Sequence, residues 1–450
     1  MNRYLQNREE IETARYALDA ALANGAGAVR ISLNMGIQNA FAVLDGKLDR
    51  LHMANDRSLY IQIYAKGRYG AFSTNRMEKG ELEHFIKEAI AATTLLAEDK
   101  CRTLPDGSLY YKGKGDDLGQ FDPTFLEIDS QKKREIAFMV YEQTQGKSNK
   151  LISSNSEYGD YLDYQYMIDS QGFEGESLLS GFTVSSECSV KGRGDARPEG
   201  WWYENTLKFN NLEIEGCGNI ALERALAKLN PKKMKSGKYR MIVENICSSR
   251  LISPIITALG GDNIQQKNSF LLNKLGERVF SEKMNLIDTP HEYGMSGSRY
   301  FDGEGIATRN MAIIENGKIN TYFINSYYAN KLGVAATIEG PSVPKFSSAA
   351  YKDEHKSLSL NEMIKIIDTG ILVTGFNGGN CNTTTGDFSY GVEGFFIKDG
   401  AILHPIREMN ITGNIIQLWN NLIFTGNDAR SATRWQIPSL AFEDVDFTGL

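Results

Sequence analysis

The sequence predicts an α+β protein, with an N-terminal α+β domain followed by a β-rich C-terminal domain. Three observations carry this reading. Helical spacing of apolar residues falls mainly in the first half, over about 9–24, 81–98, 130–144 and 220–229. Strand-like alternation fills the gaps between those helices and dominates the second half. Glycine is dense over 294–305 and 375–400, as tight hairpins and loops require. At 450 residues the chain exceeds one small core. Two domains are therefore expected, 1–230 and 231–450, with a possible subdivision near 101–125.

The elements follow in order. Ile11, Ala14, Leu18 and Leu22 recur at helical spacing, and Gly25 supplies a stop. Val29, Ile31 and Leu33 alternate as a strand. Asp45-Gly46 lies between two alternating runs and predicts a hairpin turn. Leu59, Ile61 and Ile63 give a further strand. A helix follows from about Glu81 to Glu98, with Leu82, Phe85, Ile86, Ala89 and Ile90 on one face. Residues 101–125 have little periodicity and predict a long connection. Ile136, Met139 and Val140 point inward from a third helix. Residues 151–191 predict short strands with turns, one at Ser170-Gln171-Gly172. A fourth helix ends at Asn230-Pro231, and a strand follows from Tyr239 to Val243. A helix over about 249–259 contains Ser253-Pro254, which either caps its start or kinks it. Another helix is expected at Leu360 to Thr369.

Composition excludes several classes. The formal charge of −7 argues against a nucleic-acid partner. The basic run Lys232, Lys233, Lys235, Lys238 and Arg240 is expected to be a solvated lead into a strand. The five cysteines are widely spaced and include no Cys-x-x-Cys pair, which fits reduced thiols and a cytoplasmic location. The N-terminus has no apolar signal segment, and no apolar run reaches membrane-spanning length.

Several short motifs are incomplete. His291-Glu292 begins like a zinc-binding His-Glu-x-x-His, but the second histidine is replaced by Met295. His52, His84, His355 and His404 lack partners at ligand spacing. Gly294-Met295-Ser296-Gly297 ends on Ser298 where a nucleophile elbow needs glycine. Gly146-Lys147-Ser148 lacks the first glycine of a phosphate loop, because Tyr141 stands there. No metal site and no catalytic residue is expected in this chain.

Two longer segments are more specific. Ser298–Gly333 contains Phe301-Asp302-Gly303-Glu304-Gly305, a strand over Met311 to Ile314, and the turn Asn316-Gly317. Asp302 and Glu304 share one face of an extended chain, where paired carboxylates can do acid–base work or bind a cation. Their commoner role is as solvated acids in a glycine turn. Phe376–Asn414 holds glycines, then Thr385-Gly386-Asp387-Phe388-Ser389, then Phe395, Ile397 and the turn Asp399-Gly400. This is a set of tight hairpins, or a cleft where backbone approaches a substrate closely.

These segments resemble the C-terminal domain of the TldD/PmbA family. Asn268-Ser269-Phe270-Leu271, Leu275-Gly276-Glu277, Asp288 and Ser236-Gly237-Lys238-Tyr239 are similar to its PmbA (TldE) branch. The resemblance spans essentially the whole chain and is most specific over Ser236 to Asn414. It implies relatives of metalloproteases that act on unfolded or extended peptides; an older family label is modulator of DNA gyrase. The TldD branch carries His-Glu-x-x-x-His on a helix early in this domain and a cysteine near the C-terminus. Here the corresponding helix reads Arg250, Leu251, Ile252, Ser253, Pro254, Ile255, Ile256, Thr257, and residues 425–450 hold no cysteine.

The resemblance therefore implies the non-metal subunit of a two-part cytoplasmic peptidase, inactive alone, with zinc held by a TldD-type partner. The alternative is a homodimeric, non-enzymatic peptide-binding or regulatory protein. A third option is an enzyme using Asp302, Glu304 or Asp387 with a borrowed metal. The chain is expected to dimerise with itself or with that partner, and to hold an extended peptide. Asp302, Glu304, Arg309, Asn380, Asn382, Asp387 and Ser389 are the residues expected along the substrate cleft.

Overall fold

Long strands form in the first half because apolar side chains on alternate positions need cover on only one face. The computed structural model describes residues 8–346 and 358–449. Helix α1 (Arg8–Ala23) leads into the hairpin β1 (Ala28–Leu44) and β2 (Lys47–Ala65), turned at Asp45-Gly46 with φ of 47° and 80°. Strand β3 (Arg68–Thr74) and helix α2 (Lys79–Thr93) follow. Residues 94–129 are largely irregular before α3 (Ser130–Glu142). Then come β4 (Leu151–Asp169), β5 (Glu174–Val190), β6 (Glu199–Thr206) and α4 (Cys217–Ala227).

The six strands form one antiparallel sheet in the order β3-β2-β1-β4-β5-β6. One end of its helix-covered face packs Val29, Ile31, Leu33, Leu59, Ile61 and Ile63 against Ala14, Ala17 and Ala21 of α1 and Leu82 and Ile86 of α2. The other end packs Phe41, Tyr158, Leu162, Phe182 and Val184 against Ile136 and Val140 of α3. Helix α4 lies against β6 so closely that a Cβ on Gly200 would sit 2.2 Å from the Ala225 amide nitrogen.

The second half begins with β7 (Lys232–Lys233), β8 (Gly237–Val243), α5 (Asn245–Ala258) and α6 (Gly261–Gln265). A small four-stranded sheet, ordered β11-β10-β9-β12, uses β9 (Leu286–Asp288), β10 (Met311–Glu315), β11 (Lys318–Ile319) and β12 (Pro344–Phe346). Helix α7 (Ser326–Leu332) intervenes, and α8 (Leu360–Ile367) follows. Then β13 (Gly370–Cys381), β14 (Asp387–Lys398) and β15 (Ala401–Asn414) run as successive hairpins. Helix α9 (Ile415–Asn420), β16 (Leu422–Thr425) and β17 (Leu440–Gly449) complete the chain's described part.

Seven strands form the main C-terminal sheet, in the order β16-β17-β8-β13-β14-β15-β7. Strand β17 also pairs with β15, Met409 opposite Gly449, so β8, β13, β14, β15 and β17 close into a ring. Val243, Val373, Tyr390, Met409, Ile411, Trp419 and Phe442 belong to the core of this half. The basic stretch before β8 is partly ordered, since Lys232 and Lys233 pair in parallel with Ile406 and Arg407.

The two halves interlock. Arg30 of β1, 2% exposed, donates to Asp169 at 2.9 Å and to the main-chain oxygen of Glu304 at 2.8 Å. The amide of Tyr111 donates to the Gly305 oxygen at 3.0 Å. A buried charge is tolerated when paired and hydrogen-bonded in this way. The long connection over 101–125 is therefore a strap that carries the N-terminal half onto the loop at 302–306.

Candidate functional site

Helix α5 starts directly after β8, with Glu244 at its N-cap position, and points its first two turns into a cavity of about 970 Å³. Ile246, Cys247, Ser249, Arg250 and Ser253 face that space. Thr374 to Gly378 of β13 and Glu393 of β14 form a second wall. The N-terminal half supplies Glu187, Glu199 and Trp201 from β5 and β6, with Arg224 and Lys228 at the C-terminal end of α4.

Strand β13 changes register between Asn377 and Asn380, where Gly378 and Gly379 take φ of 64° and 76°. A Cβ on Gly379 would lie 2.0 Å from the Ser389 oxygen, so only glycine fits that close approach. The bulge sits beside the stretch of backbone that lines the cavity at Asn377 and Gly378. Arg250 donates to the Gly379 oxygen at 2.9 Å and lies over the Tyr390 ring at 5.1 Å, which fixes the bulge to α5.

Two of the cations that line the cavity, Arg224 and Lys228, are paired. Arg224 binds both oxygens of Glu244. Lys228 Nζ lies 2.6 Å from Glu393 Oε2, and Asn377 Nδ2 donates to Glu393 Oε1 at 2.8 Å. Burial alone would raise the Glu393 carboxyl, but the bonds from Lys228 and Asn377 outweigh it and hold it below the usual range. Burial, then the nearby Glu244 charge, pushes the Cys247 thiol far up, and its Sγ lies 3.4 Å from the Glu244 oxygen. A thiol kept protonated in this way is a poor nucleophile.

The residues expected from the sequence fall into two separate places. Asn380 and Ser389 are opposite each other in β13 and β14, and both are exposed. Asn382 Oδ1 accepts from the Thr384 amide at 2.9 Å, and Asp387 Oδ1 accepts from Asn414 Nδ2 at 2.9 Å, a bond that holds Asp387 below its usual range. These four side chains share one hairpin, next in sequence to the cavity-lining stretch of β13.

Asp302 is 2% exposed and accepts from the amides of Glu304 and Ile306 at 2.9 and 3.0 Å and of Glu339 at 3.2 Å. Burial, then the Glu339 carboxylate, pushes its carboxyl up to about 6. Glu304 accepts from the Ser326 amide at 2.8 Å at the start of α7. Arg309 is exposed. Asp302 lines a cavity of about 1070 Å³, whereas Asn380, Asn382, Asp387, Ser389, Glu304 and Arg309 line neither that cavity nor the one at α5, so the expected residues do not meet in one cleft. His291 lies 3.0 Å from Thr308 Oγ1 and beside the Tyr300 ring.

Sequence reasoning missed Arg224, Lys228, Glu187, Glu199 and Glu393. The one available signal was the pair of cations four residues apart at the end of the fourth helix. Their carboxylate partners, Glu244 and Glu393, lie 20 and 165 residues away in the chain and carry no motif.

The fold and cavity together define a protein of two main sheets with a substrate-sized cleft walled by both halves of the chain. Residues 236–449 match the family model of the PmbA/TldA metallopeptidase C-terminal domain, and residues 123–229 match that of the central domain. A Bacteroides thetaiotaomicron protein described as a candidate modulator of DNA gyrase has a similar structure, with a TM-score of 0.95 and 47% identity over 98% of this chain and 99% of that one. A metalloprotease PmbA homologue of Haemophilus influenzae is 26% identical, over 99% of this chain and 97% of its own. TldE from Thermococcus kodakarensis shares the fold, with a TM-score of 0.81 at 18% identity over 97% of this chain and 100% of that one. The chain belongs to the PmbA/TldD family of metallopeptidases.

The family name implies a metal, and the donors on α5 do not fit one. The side chains that α5 turns into the cavity are an isoleucine, a protonated thiol, two serines and an arginine. Glu244 and Glu393 are already bonded to Arg224 and Lys228, so neither carboxylate is free to ligate a cation beside α5. Among the described residues, no group of three or more His, Cys, Asp or Glu side chains gathers in a form that could hold a metal ion. No helix among them is long and apolar enough to cross a membrane.

Proposed function

We propose that this chain is the non-metal subunit of a two-component peptidase and forms part of the groove that holds an extended peptide. One observation carries the reading. Helix α5 projects into a peptide-sized cavity, yet presents Ser249, Arg250 and Ser253 where metal ligands and a general base would be needed. At the β13 bulge Arg250 holds the Gly379 oxygen and Glu393 holds the Asn377 side chain. A shaped groove that gathers no metal-binding group among the described residues fits a chain that binds while another cleaves. The relatives named metalloproteases support the reaction class; the metal-bearing TldD-type chain would supply the zinc.

Peptide would lie along β13 past Asn377 and Gly378 toward the hairpin of Asn380, Asn382, Asp387 and Ser389. Main-chain contacts at a bulged strand tolerate varied side chains. Asp302 would act from the second cavity, on a longer substrate. The setting is proposed to be the cytoplasm, in keeping with the unpaired cysteines.

Affinity purification of the tagged chain from its native host, with elemental analysis, tests this. A zinc-bearing paralogue should come down in near-equal amount. Recovery of the chain only as a homodimer, without zinc, would favour the non-enzymatic peptide-binding reading instead.

A further inference from the structure

Strand β5 is longer than its outer neighbour. It pairs with β4 along its length, from Glu174 opposite Ile168 to Val190 opposite Leu151. Strand β6 covers it only from Phe182 to Ser189. The Ser180 amide donates outward to the Gln120 oxygen at 2.9 Å and closes the inner end of the gap. Beyond it, Glu174 to Leu179 have a sheet neighbour on one side only.

The direction of the free groups follows from register. Ser180 points its amide away from β4, and the β4–β5 register is unbroken from Ser189 to Glu174. In an antiparallel ladder, alternate residues turn the same way. Glu174, Glu176 and Leu178 therefore aim their N–H and C=O groups at the open edge. Glu174 and Glu176 are exposed and Leu178 is half-buried.

This edge borders the cavity of about 1070 Å³, whose far wall is Gly113 to Leu118 with Ser296 to Arg299. An unguarded edge is normally blunted by charge, proline or a bulge. Here the edge acids are drawn aside. Glu174 accepts from Arg15 at 2.7 Å and from Tyr166 at 2.8 Å, and Glu176 accepts from Tyr164 at 2.8 Å. The Phe301 ring packs on Gly175, where a Cβ would be 2.8 Å away, and Tyr111 stacks on Tyr300 at 5.2 Å. The result is a slot with a hydrogen-bonding side and a fixed aromatic end.

We propose that the Glu174–Leu178 edge is a second peptide-binding site, at which an extended segment continues the line of β6 through main-chain hydrogen bonds to Glu174, Glu176 and Leu178. The occupant is a peptide recognised by its backbone, since the edge carboxylates are already bonded to Arg15, Tyr164 and Tyr166. Glu187, at the other end of the same strand, lines the α5 cavity, roughly 30 Å along the strand from Leu178. A long unfolded substrate can thus be held at a site remote from the one proposed for processing.

The test uses the full chain and a capped, fluorescein-labelled ten-residue peptide of alternating Thr and Lys. Binding is read by anisotropy, and the site by hydrogen exchange at the Glu176 and Leu178 amides. The expected result is binding with slowed exchange at both amides. The same peptide N-methylated throughout should lose binding. Glu176→Pro removes one outward N–H and leaves the β4 ladder intact, so affinity should drop about tenfold with a thermal midpoint near that of the parent. Equal binding of the N-methylated peptide, unchanged exchange at both amides, or undiminished affinity in E176P would each overturn the proposal. So would exchange protection arising from self-association, seen as a dimer by light scattering that E176P converts to monomer.

Discussion

Arg224 of α4 holds the carboxylate of Glu244 through two parallel hydrogen bonds, Nη1 to Oε1 at 2.9 Å and Nη2 to Oε2 at 2.8 Å. Glu244 is 7% exposed and stands at the N-cap position of α5, so the pair ties the N-terminal sheet layer to the helix that shapes the cleft. Removing one partner leaves a charge buried without compensation. Arg224→Ala should destabilise the fold by about 3 kcal/mol. Replacing both, as Arg224→Met with Glu244→Gln, should recover most of the loss. Urea denaturation of the single and double variants checks this; an R224A loss below the range of surface substitutions would show that the pair does not hold the halves together.

Gly200 supports the same junction from below. Its Cβ position lies 2.2 Å from the Ala225 nitrogen and 2.6 Å from the Ala221 oxygen, both backbone atoms of α4. Gly200→Ala must push the helix off β6 and should destabilise by about 2 kcal/mol, measured by thermal or chemical unfolding. Alanine at the exposed, uncrowded Gly80 is the control and should change stability little.

Much of the fold was legible in the sequence, for physical reasons. The helix expected over 9–24 is α1, and the Asp45-Gly46 turn forms because those residues tolerate the positive φ that a tight hairpin needs. Residues 151–191 were expected to be short strands, whereas β4 and β5 run 19 and 17 residues. Polar residues such as Asp163 and Gln165 interrupt the pattern because one sheet face is uncovered, not because the strands end. Pro254 does not cap the start of α5. The helix starts at Asn245, earlier than expected, and Pro254 lies inside it. The cleft was legible only in part: the β13 glycines announced close backbone approach, but Arg224, Glu244 and Glu393 meet through tertiary contacts that no local pattern encodes.

Asp302 gives a pH signature. Its carboxyl is pushed up to about 6 in the fold, against about 4 in an unfolded chain. Between those values the native state binds the extra proton, so stability contributed at this position is present at low pH and lost as pH rises through about 6. Relative to Asp302→Asn, which does not titrate, the parent should lose on the order of 2–3 kcal/mol between pH 4 and pH 7. Paired denaturation curves across that range measure it. A flat difference would mean that the carboxylate is not desolvated.

Arg250 tests the groove. It holds the β13 bulge through the Gly379 oxygen and lies over the ring of the core residue Tyr390 without a hydrogen bond to it. Arg250→Ala should leave the melting temperature nearly unchanged and weaken peptide capture by the two-chain assembly about tenfold, the loss of a hydrogen bond to a charged donor. Equal capture by parent and variant would move the groove away from α5.

The central claim is a division of labour between chains, and reconstitution tests it most directly. An unfolded peptide is incubated with this chain alone, with a zinc-bearing TldD-type partner alone, and with the two mixed, each with and without a chelator. Cleavage requires an activated water and a stabilised oxyanion, which a metal supplies and α5 does not. The account predicts no cleavage by this chain alone and chelator-sensitive cleavage by the mixture. Chelator-sensitive cleavage by this chain alone, in a preparation free of host peptidases, would contradict it.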